Sequence, residues 1–346
     1  MNNQSIVSFV AIAFFAGLSL AQNTTQTLEV SVKQALQNIA SNRASLETAK
    51  ADLLVKQSDP TTLVAQLLQS TQTVKLETVK FAAQRIEVLG NVSTAYFNLL
   101  EAQENLEVLR AQLALDRRNL EVTQVKLTQK NSTQLDVRKA QNTVASSRQN
   151  LANAQAQLPT LSNRLETTLG LSLKGDLRVS KPPKFTEIKF DLAVLEASLE
   201  KNLVSVLQSA QSVETNELNV RLALTADTLR DAKTELETAK RSFETAKKNA
   251  VISLRDSSRN VSNSLETVKL RQTDLQNDFD SLKQDQQRLK NGTISRVALQ
   301  QTELAAWRSQ YNLATAQNSY FKALNSLSST AGVDVTGMLE KVGDAK

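Results

Sequence analysis

Residues 99–170 read LLEAQENLEVLRAQLALDRRNLEVTQVKLTQKNSTQLDVRKAQNTVASSRQNLANAQAQLPTLSNRLETTLG, and the pattern of this stretch indicates the architecture of the whole chain. On each side of a polar turn at 130–133, apolar side chains recur at every seventh position. A heptad pattern that runs through a turn predicts an antiparallel helical hairpin, and its return 162 residues later predicts a second copy. The positions are Leu99, Leu106, Leu113, Leu120, Leu127, Val137, Val144, Leu151, Leu158 and Leu165, then Val261, Val268, Leu275, Leu282, Leu289, Leu299, Ala306, Leu313, Tyr320 and Leu327.

The composition agrees with long helices. Only 4% of the 346 residues are aromatic, and the chain holds 8 glycines and 4 prolines. Such usage is unlike that of a domain built from mixed layers, and it suits narrow helical seams filled by small side chains. We therefore predict an all-α fold of two tandem repeats of long antiparallel coiled-coil hairpins.

The chain lacks residue types on which several kinds of protein chemistry depend. The chain has no Cys and no His, which removes disulfides, thiolate metal sites and the commonest general base. The net charge is +6, but charges of both signs alternate along helix faces, as on solvated helices. We predict no enzyme activity, no cofactor, no metal site and no nucleic-acid partner.

The N-terminus predicts export. Residues 1–21 contain an apolar run at 6–20 and end with small residues at Ser19 and Ala21, the pattern of a secretory cleavage site before Gln22. The alternative is a retained membrane anchor, but the apolar run is shorter than the about 20 residues that a spanning helix needs.

Helix breakers organise the rest of the chain. Residues 27–55 read as one helix that ends before Pro60. A rod with only Gly90 as a weak point extends over 62–130, and an uninterrupted rod extends over 226–290. Over 218–228 we predict a helix with a bend. The predicted domains are a signal peptide at 1–21, a first hairpin repeat at 22–173, a linker at 174–190, a second repeat at 191–332 and a flexible tail at 333–346.

The first rod has two apolar sides. Val108, Leu115 and Val122 are offset by two residues from the heptad leucines, about 200° around the helix. A helix that is apolar on two sides packs between two neighbours, as in a curved wall or closed ring of helices. A simple bundle helix with irregular hydrophobicity is the alternative.

Several short stretches resemble the TolC-type outer-membrane efflux family. The likeness covers most of residues 27–335 and consists of spacing and composition, without a catalytic motif. The stretches are Ala95-Tyr96-Phe97-Asn98-Leu99-Leu100, residues 120–130, Leu135-Asp136-Val137 and residues 165–170 in the first copy, and Leu289-Lys290-Asn291-Gly292-Thr293 and residues 324–332 in the second.

The resemblance implies a homotrimer whose repeats build a periplasmic tunnel of helices. It also implies a periplasmic adaptor protein and an inner-membrane transporter as partners, and a location in the periplasm in association with the outer membrane. The implied adaptor-docking turns are Lys130, Asn131, Ser132 and Thr133, and Gly292, Thr293, Ile294 and Ser295. The implied gate or lumen residues are Asp136, Lys139, Ala298 and Gln301.

Two features depart from the family's pattern. The family inserts a pair of membrane-crossing strands in each repeat, and one such strand takes about 9–11 residues. Only 57–62 and 220–225 are available here, so we predict a member without these strands and consider a separate outer-membrane pore as a further partner.

The tip itself is the second departure, because the family's acidic gate is not reproduced in the second copy. The basic tip residues are Lys126, Arg138, Arg288, Lys290 and Arg296, beside Lys130 and Lys139. A positive constriction would favour anionic cargo or an acidic docking partner. The other interpretation is that these are solvated turn charges.

Two functions from different classes follow. The first is a passive tunnel component of an efflux or type I secretion system. The alternative is a non-conducting coiled-coil spacer or scaffold of the cell envelope. Closure of the helices into a ring with a lumen distinguishes them.

Overall fold

A computed structural model describes residues 25–172, 174–181 and 185–343, so the predicted signal peptide lies outside the described residues. Helices dominate this part of the chain. The helices are α1 (Leu28–Leu36), α2 (Ala40–Ser58), α3 (Val64–Thr128), α4 (Gln134–Leu169), α5 (Leu192–Asn202), α6 (Val204–Leu222), α7 (Ala226–Lys290), α8 (Arg296–Ala331) and α9 (Met338–Val342). The strands are β1 (Thr25–Gln26) and β2 (Arg178–Val179).

The predicted duplication is confirmed. Helices α3 and α7 are each 65 residues long, and α4 and α8 are each 36 residues long. Every bound of the second hairpin is the first copy's bound plus 162. At about 1.5 Å per residue, each longer helix is a rod of about 100 Å.

Each short helix of a hairpin is continued by another helix that abuts its end. The Asn38 amide, just before α2, donates a hydrogen bond to the Leu169 carbonyl at the end of α4, at 3.1 Å. In the second repeat, Gly332 at the end of α8 lies against the backbone of Asn202, just before α6. The pairs α2/α4 and α6/α8 therefore form two composite rods beside the continuous rods α3 and α7.

The four rods form one layer in the order α2/α4, α3, α6/α8, α7. Packing contacts join each rod to its neighbour in this order. Within the described residues, no extended contact joins α4 to α7, so the four rods do not close around a core of their own. The rod α3 lies between two neighbours, as its two apolar sides predict, and Leu115 on its second side is buried.

The core follows the predicted seams and is deepest where the short helices and linker cover the rods. In the first repeat, Leu99 and Leu165 are buried together with Tyr96 and Phe97. In the second repeat, Val261, Val268 and Leu327 are buried with Leu254 and Leu324. Apolar burial of this kind is the main favourable contribution to folding.

The linker is tied to the first rod. Strands β1 and β2 pair in parallel, with Thr25 opposite Arg178 and Gln26 opposite Val179. The buried Tyr96 hydroxyl donates a hydrogen bond to the Ser180 carbonyl at 2.6 Å. In the part of the chain that the structure describes, strands occur only here, and neither 57–62 nor 220–225 forms a strand, as predicted. Within the same residues, no helix combines the length and apolarity that crossing a bilayer requires.

Three local predictions were wrong. The helix predicted over 27–55 is interrupted at residues 37–39, where Asn38 turns to bond α4. The bend predicted over 218–228 is a break, because Ala223 is extended and Thr225 caps the start of α7. The tail is not loose over 338–342: it forms α9, since Met338 and Leu339 find an apolar site in the core of the first repeat.

Candidate functional site

The two hairpin turns lie at the same end of the layer. Hydrogen bonds from α8 to α3 join Lys322 to Asn98 at 3.0 Å and Arg308 to Gln112 at 2.5 Å, so α8 runs antiparallel to α3. The C-terminal end of α3 and the N-terminal end of α8 therefore coincide. We call residues 126–139 the first tip and residues 288–301 the second tip.

The two turns have the same backbone hydrogen-bond pattern but differ in the residue that adopts the left-handed conformation. After α3, the Asn131 N–H donates to the Lys126 carbonyl at 2.8 Å, and after α7 the Thr293 N–H donates to the Arg288 carbonyl at 2.9 Å. Such a helix end requires one residue in the left-handed conformation. This residue is Gly292, with φ of 71°, in the second tip, and Lys130, with φ of 59°, in the first.

Replacing Lys130 by glycine is expected to raise the free energy of unfolding by about 1 kcal/mol, because the left-handed conformation is costly only for a residue with a Cβ atom. Urea denaturation followed by circular dichroism measures the change. The control is Gln129→Gly, one residue earlier with φ of −83°. A loss of stability in Lys130→Gly equal to that of the control would contradict the argument.

Asp136, a predicted gate residue, is held in a helix cap. Its Oδ2 atom accepts hydrogen bonds from the Thr133 hydroxyl at 2.7 Å, the Thr133 N–H at 2.9 Å and the Ser132 hydroxyl at 3.2 Å. The hydrogen bonds from Thr133 hold the pKa of Asp136 below its ordinary value. The equivalent residue in the second tip is Ala298, whose N–H bonds to the Ser295 hydroxyl at 3.1 Å. The carboxylate therefore stabilises the start of α4, and its helix-capping role accounts for its position.

Most predicted docking residues are at the surface. Ser132 and Ile294 are half-buried, and the rest of the two turns is exposed; among the gate residues, Lys139 and Gln301 are exposed, whereas Asp136 and Ala298 are half-buried. Within the described chain, no hydrogen bond or ion pair links the first tip to the second. Residues 130–133 and 292–295 thus form two separate turns at one end.

The predicted basic residues give this end a positive surface. Arg288 pairs with Asp285 at 3.2 Å, and the hydrogen bond from Thr302 lowers the pKa of that carboxyl. Among the described residues, no carboxylate lies within ion-pair distance of the other basic side chains of the tips. These side chains are Lys126, Lys130, Arg138, Lys139, Lys290 and Arg296, all of them exposed.

A polar contact that sequence reasoning missed, buried in the first repeat and half-buried in the second, fixes each hairpin above its tip. The Ser147 hydroxyl of α4 donates to Asp116 of α3 at 2.5 Å, and the Ser309 hydroxyl of α8 donates to Asp278 of α7. Both pairs occupy positions related by 162 residues, and this shared register is the signal that could have found them. Satisfied polar contacts between apolar seams specify how two helices align.

In the first repeat the contact extends to a third helix. The Gln112 amide donates to both carboxylate oxygens of Asp116 at 2.9 Å, and Gln112 accepts from Arg308 of α8 at 2.5 Å. This line of polar groups crosses α4, α3 and α8. It therefore connects the two hairpins to each other and also sets the alignment of α3 and α4 within the first hairpin.

Comparisons with known proteins agree with this architecture. Residues 58–171, which include the whole first hairpin, match the family model described as outer membrane efflux protein. A comparison with curated protein sequences gives no match.

Solved outer-membrane channels have a similar fold. VceC from Vibrio cholerae aligns with a TM-score of 0.62 at 14% identity, over 89% of this chain and 96% of that chain. The Campylobacter jejuni CmeC channel aligns with a TM-score of 0.60 at 11% identity, over 92% of this chain and 89% of that chain. The open state of the Neisseria gonorrhoeae MtrE channel aligns with 0.63 at 12% identity, over 89% of both chains.

The fold is therefore that of the TolC-type helical tunnels, with two long hairpins in tandem. The resemblance to the TolC-type outer-membrane efflux family is confirmed, by the family model for the first hairpin and by the fold for the chain as a whole.

Proposed function

We propose that this protein is a subunit of a passive periplasmic tunnel in an efflux or type I secretion system, exported and associated with the outer membrane. The open four-rod layer carries this proposal. Among the described residues, the edge rods α2/α4 and α7 do not pack on each other, so the layer has two free edges. Further copies of the chain can pack against these edges and close the layer into a ring. The family match and the fold of the channel proteins support the same function.

An apolar side chain on the free edge supports ring closure. Leu270 of α7 is 57% exposed and lies two residues from the buried Val268, about 200° around the helix from the seam with α8. Leu270 therefore points to the side where the next subunit would pack. We propose a homotrimer, as in the family that the sequence resembles.

The Leu270→Glu variant is expected to dissociate the assembly, raising the dissociation constant at least tenfold, because a charge is costly to bury in an apolar contact. Light scattering and negative-stain imaging of the chain from Gln22 onward, without detergent, measure the mass and shape. The control is Gln272→Glu, exposed and two residues away on the other side of α7. A hollow trimer about 100 Å long would support the tunnel.

The alternative function is a non-conducting spacer of the envelope. The confinement of strands to one short pair, β1 with β2, within the described residues favours it. A solid rod of one or two chains in the same images would exclude the tunnel in favour of the spacer.

We propose that the two tips dock a periplasmic adaptor, linked to an inner-membrane transporter, through acidic groups on the adaptor. The exposed and unpaired basic side chains support this partner chemistry. A photo-crosslinking residue at Asn131 or Thr293 is expected to capture the adaptor in cells, whereas one at Thr61, at the opposite end, is not.

The double variant Lys130→Glu with Arg296→Glu tests the role of charge at the tips. It is expected to lower the crosslinking yield several-fold, because the new carboxylates repel an acidic partner. The charge-conserving variant Lys130→Arg with Arg296→Lys is the control. An unchanged yield after charge reversal would show that the tip charges are only solvated turn charges.

A further inference from the structure

The end of the layer opposite the tips carries a cluster of exposed aliphatic side chains. It lies where α2 turns into α3 and where α6 turns into α7. Leu224 is 96% exposed, more than any other large apolar residue of the described chain, and Val64 is 69% exposed. The cluster, which we call the apolar end, consists of Leu54, Val55, Leu63, Val64, Leu67, Leu222 and Leu224.

Hydrogen bonds between the rods bring the two turns together. Ser70 of α3 donates to Asp52 of α2 at 2.9 Å, which places the end of α2 beside the start of α3. Gln72 of α3 and Gln211 of α6 exchange side-chain to backbone hydrogen bonds of 3.1 and 2.8 Å. The stretch of α3 from Gln72 to its start at Val64 and the stretch of α6 from Gln211 to its end at Leu222 are similar in length. The two turns therefore project from the same end.

The charge pattern of this end indicates what covers it. Residues 60–74 contain no charged side chain, and neither do residues 222–226. The charged residues that flank these stretches are Asp59, whose carboxylate accepts hydrogen bonds from Thr61, and Arg221 and Asp227. The neighbouring Lys56 is paired with Asp52 at 3.1 Å. Hydrocarbon excludes charge because burying an unpaired ion is very costly. The apolar end therefore combines uncharged aliphatic stretches with a few flanking charges of both signs, which lipid headgroups can accommodate, whereas the tips are basic.

The residue types at the apolar end favour a lipid partner over a protein partner. Protein interfaces are enriched in aromatic residues and arginine at their centres. The apolar end holds only leucine and valine, and neither turn contains an aromatic residue. Aliphatic side chains on projecting turns, interspersed with threonine and glutamine and flanked by a few charged residues, suit the boundary between lipid headgroups and acyl chains.

We propose that the apolar end is a membrane-surface site that inserts its leucine and valine side chains into the interface of a lipid bilayer. The turns contact the membrane without crossing it. This inference is independent of the proposed tunnel, because a non-conducting rod would use the same end to hold the membrane.

Vesicle flotation tests this site. The chain from Gln22 onward is expected to float with neutral phosphatidylcholine vesicles, and added salt is expected to leave binding unchanged because charge does not drive it. The triple variant Leu63→Gln, Val64→Gln and Leu224→Gln is expected to bind at least tenfold more weakly. The matched control is Val125→Gln with Leu135→Gln, exposed aliphatic residues near the tips, which is expected to bind as the unmodified chain does.

A second measurement locates the contact. Because the chain has no cysteine, Leu224→Cys and Leu135→Cys each accept a single environment-sensitive fluorophore. Vesicles are expected to shift the emission of the label at 224 to shorter wavelength and to leave the label at 135 unchanged. Absence of flotation, equal loss in the control, or a label at 224 that shifts with protein concentration instead of lipid would overturn the proposal; the last result would indicate contact between copies.

Discussion

Replacing Gly332 by alanine is expected to lower the free energy of unfolding by about 3 kcal/mol. Gly332 has φ of 70°, so a Cβ atom adds the cost of a left-handed conformation, about 1–2 kcal/mol. The same Cβ would lie 2.6 Å from the carbonyl carbon of Asn202. Backbone cannot turn away as a side chain can, so the end of α5, where the chain passes into α6, would have to move away from the end of α8, with a strain of about 1–3 kcal/mol.

Two other glycines provide a graded control. Gly337 has φ of 67° with no atom within 4 Å of the added Cβ, so Gly337→Ala should cost only the conformational part. Gly170→Ala should fall between the two, because its new Cβ would meet the side chain of Asn38, which can move away. Urea denaturation of the three variants measures the order. Equal losses at 332 and 337 would show that the approach of Asn202 is unimportant.

The Leu327→Ala variant is expected to destabilise the second repeat by about 3 kcal/mol. Leu327 is fully buried in the cluster that includes Leu254 and Leu324. Truncation loses the transfer free energy of the side chain and leaves a cavity in the seam. Because Leu165 is the equivalent residue of the first repeat and is equally buried, Leu165→Ala should cost a similar amount.

The exposed Leu135 is the control for both truncations. Leu135→Ala should change the free energy of unfolding by less than about 0.5 kcal/mol, because the side chain is already in water. Thermal and urea denaturation of the three variants measure the differences. If Leu135→Ala were as destabilising as Leu327→Ala, the heptad positions would not form the core that the structure assigns to them.

Local patterns predicted the elements, and distant contacts decided their interruptions. The heptad register and the polar turns at 130–133 and 292–295 predicted both hairpins, since helix periodicity and turn chemistry depend on neighbouring residues. The break at Asn38 depends on a carbonyl of Leu169, far along the chain. Likewise, α9 forms where the first repeat offers Met338 an apolar site.

At the candidate site, too, local sequence predicted positions, whereas contacts between distant residues determined roles. The turn sequences located the two tips, but the capping role of Asp136 appears only when its three hydrogen bonds are seen. The serine contacts of Asp116 and Asp278 could not be inferred from one helix, because the partner serine is on the opposite arm of each hairpin. For Leu224 the sequence shows only an apolar residue near a turn.

Periodicity, composition and charge were enough to predict the all-helical class, the duplication at 162 residues, the hairpin turns and the basic character of the tips. Each of these properties depends on neighbouring residues or on a sum over the chain, so no tertiary contact is needed to infer it. Tertiary contacts were needed to establish the order of rods, the junctions at Gly170 and Gly332, the serine–aspartate contacts and the exposure of the apolar end. Each of these depends on which distant segments meet, because burial and hydrogen bonding are properties of pairs of surfaces and not of single segments.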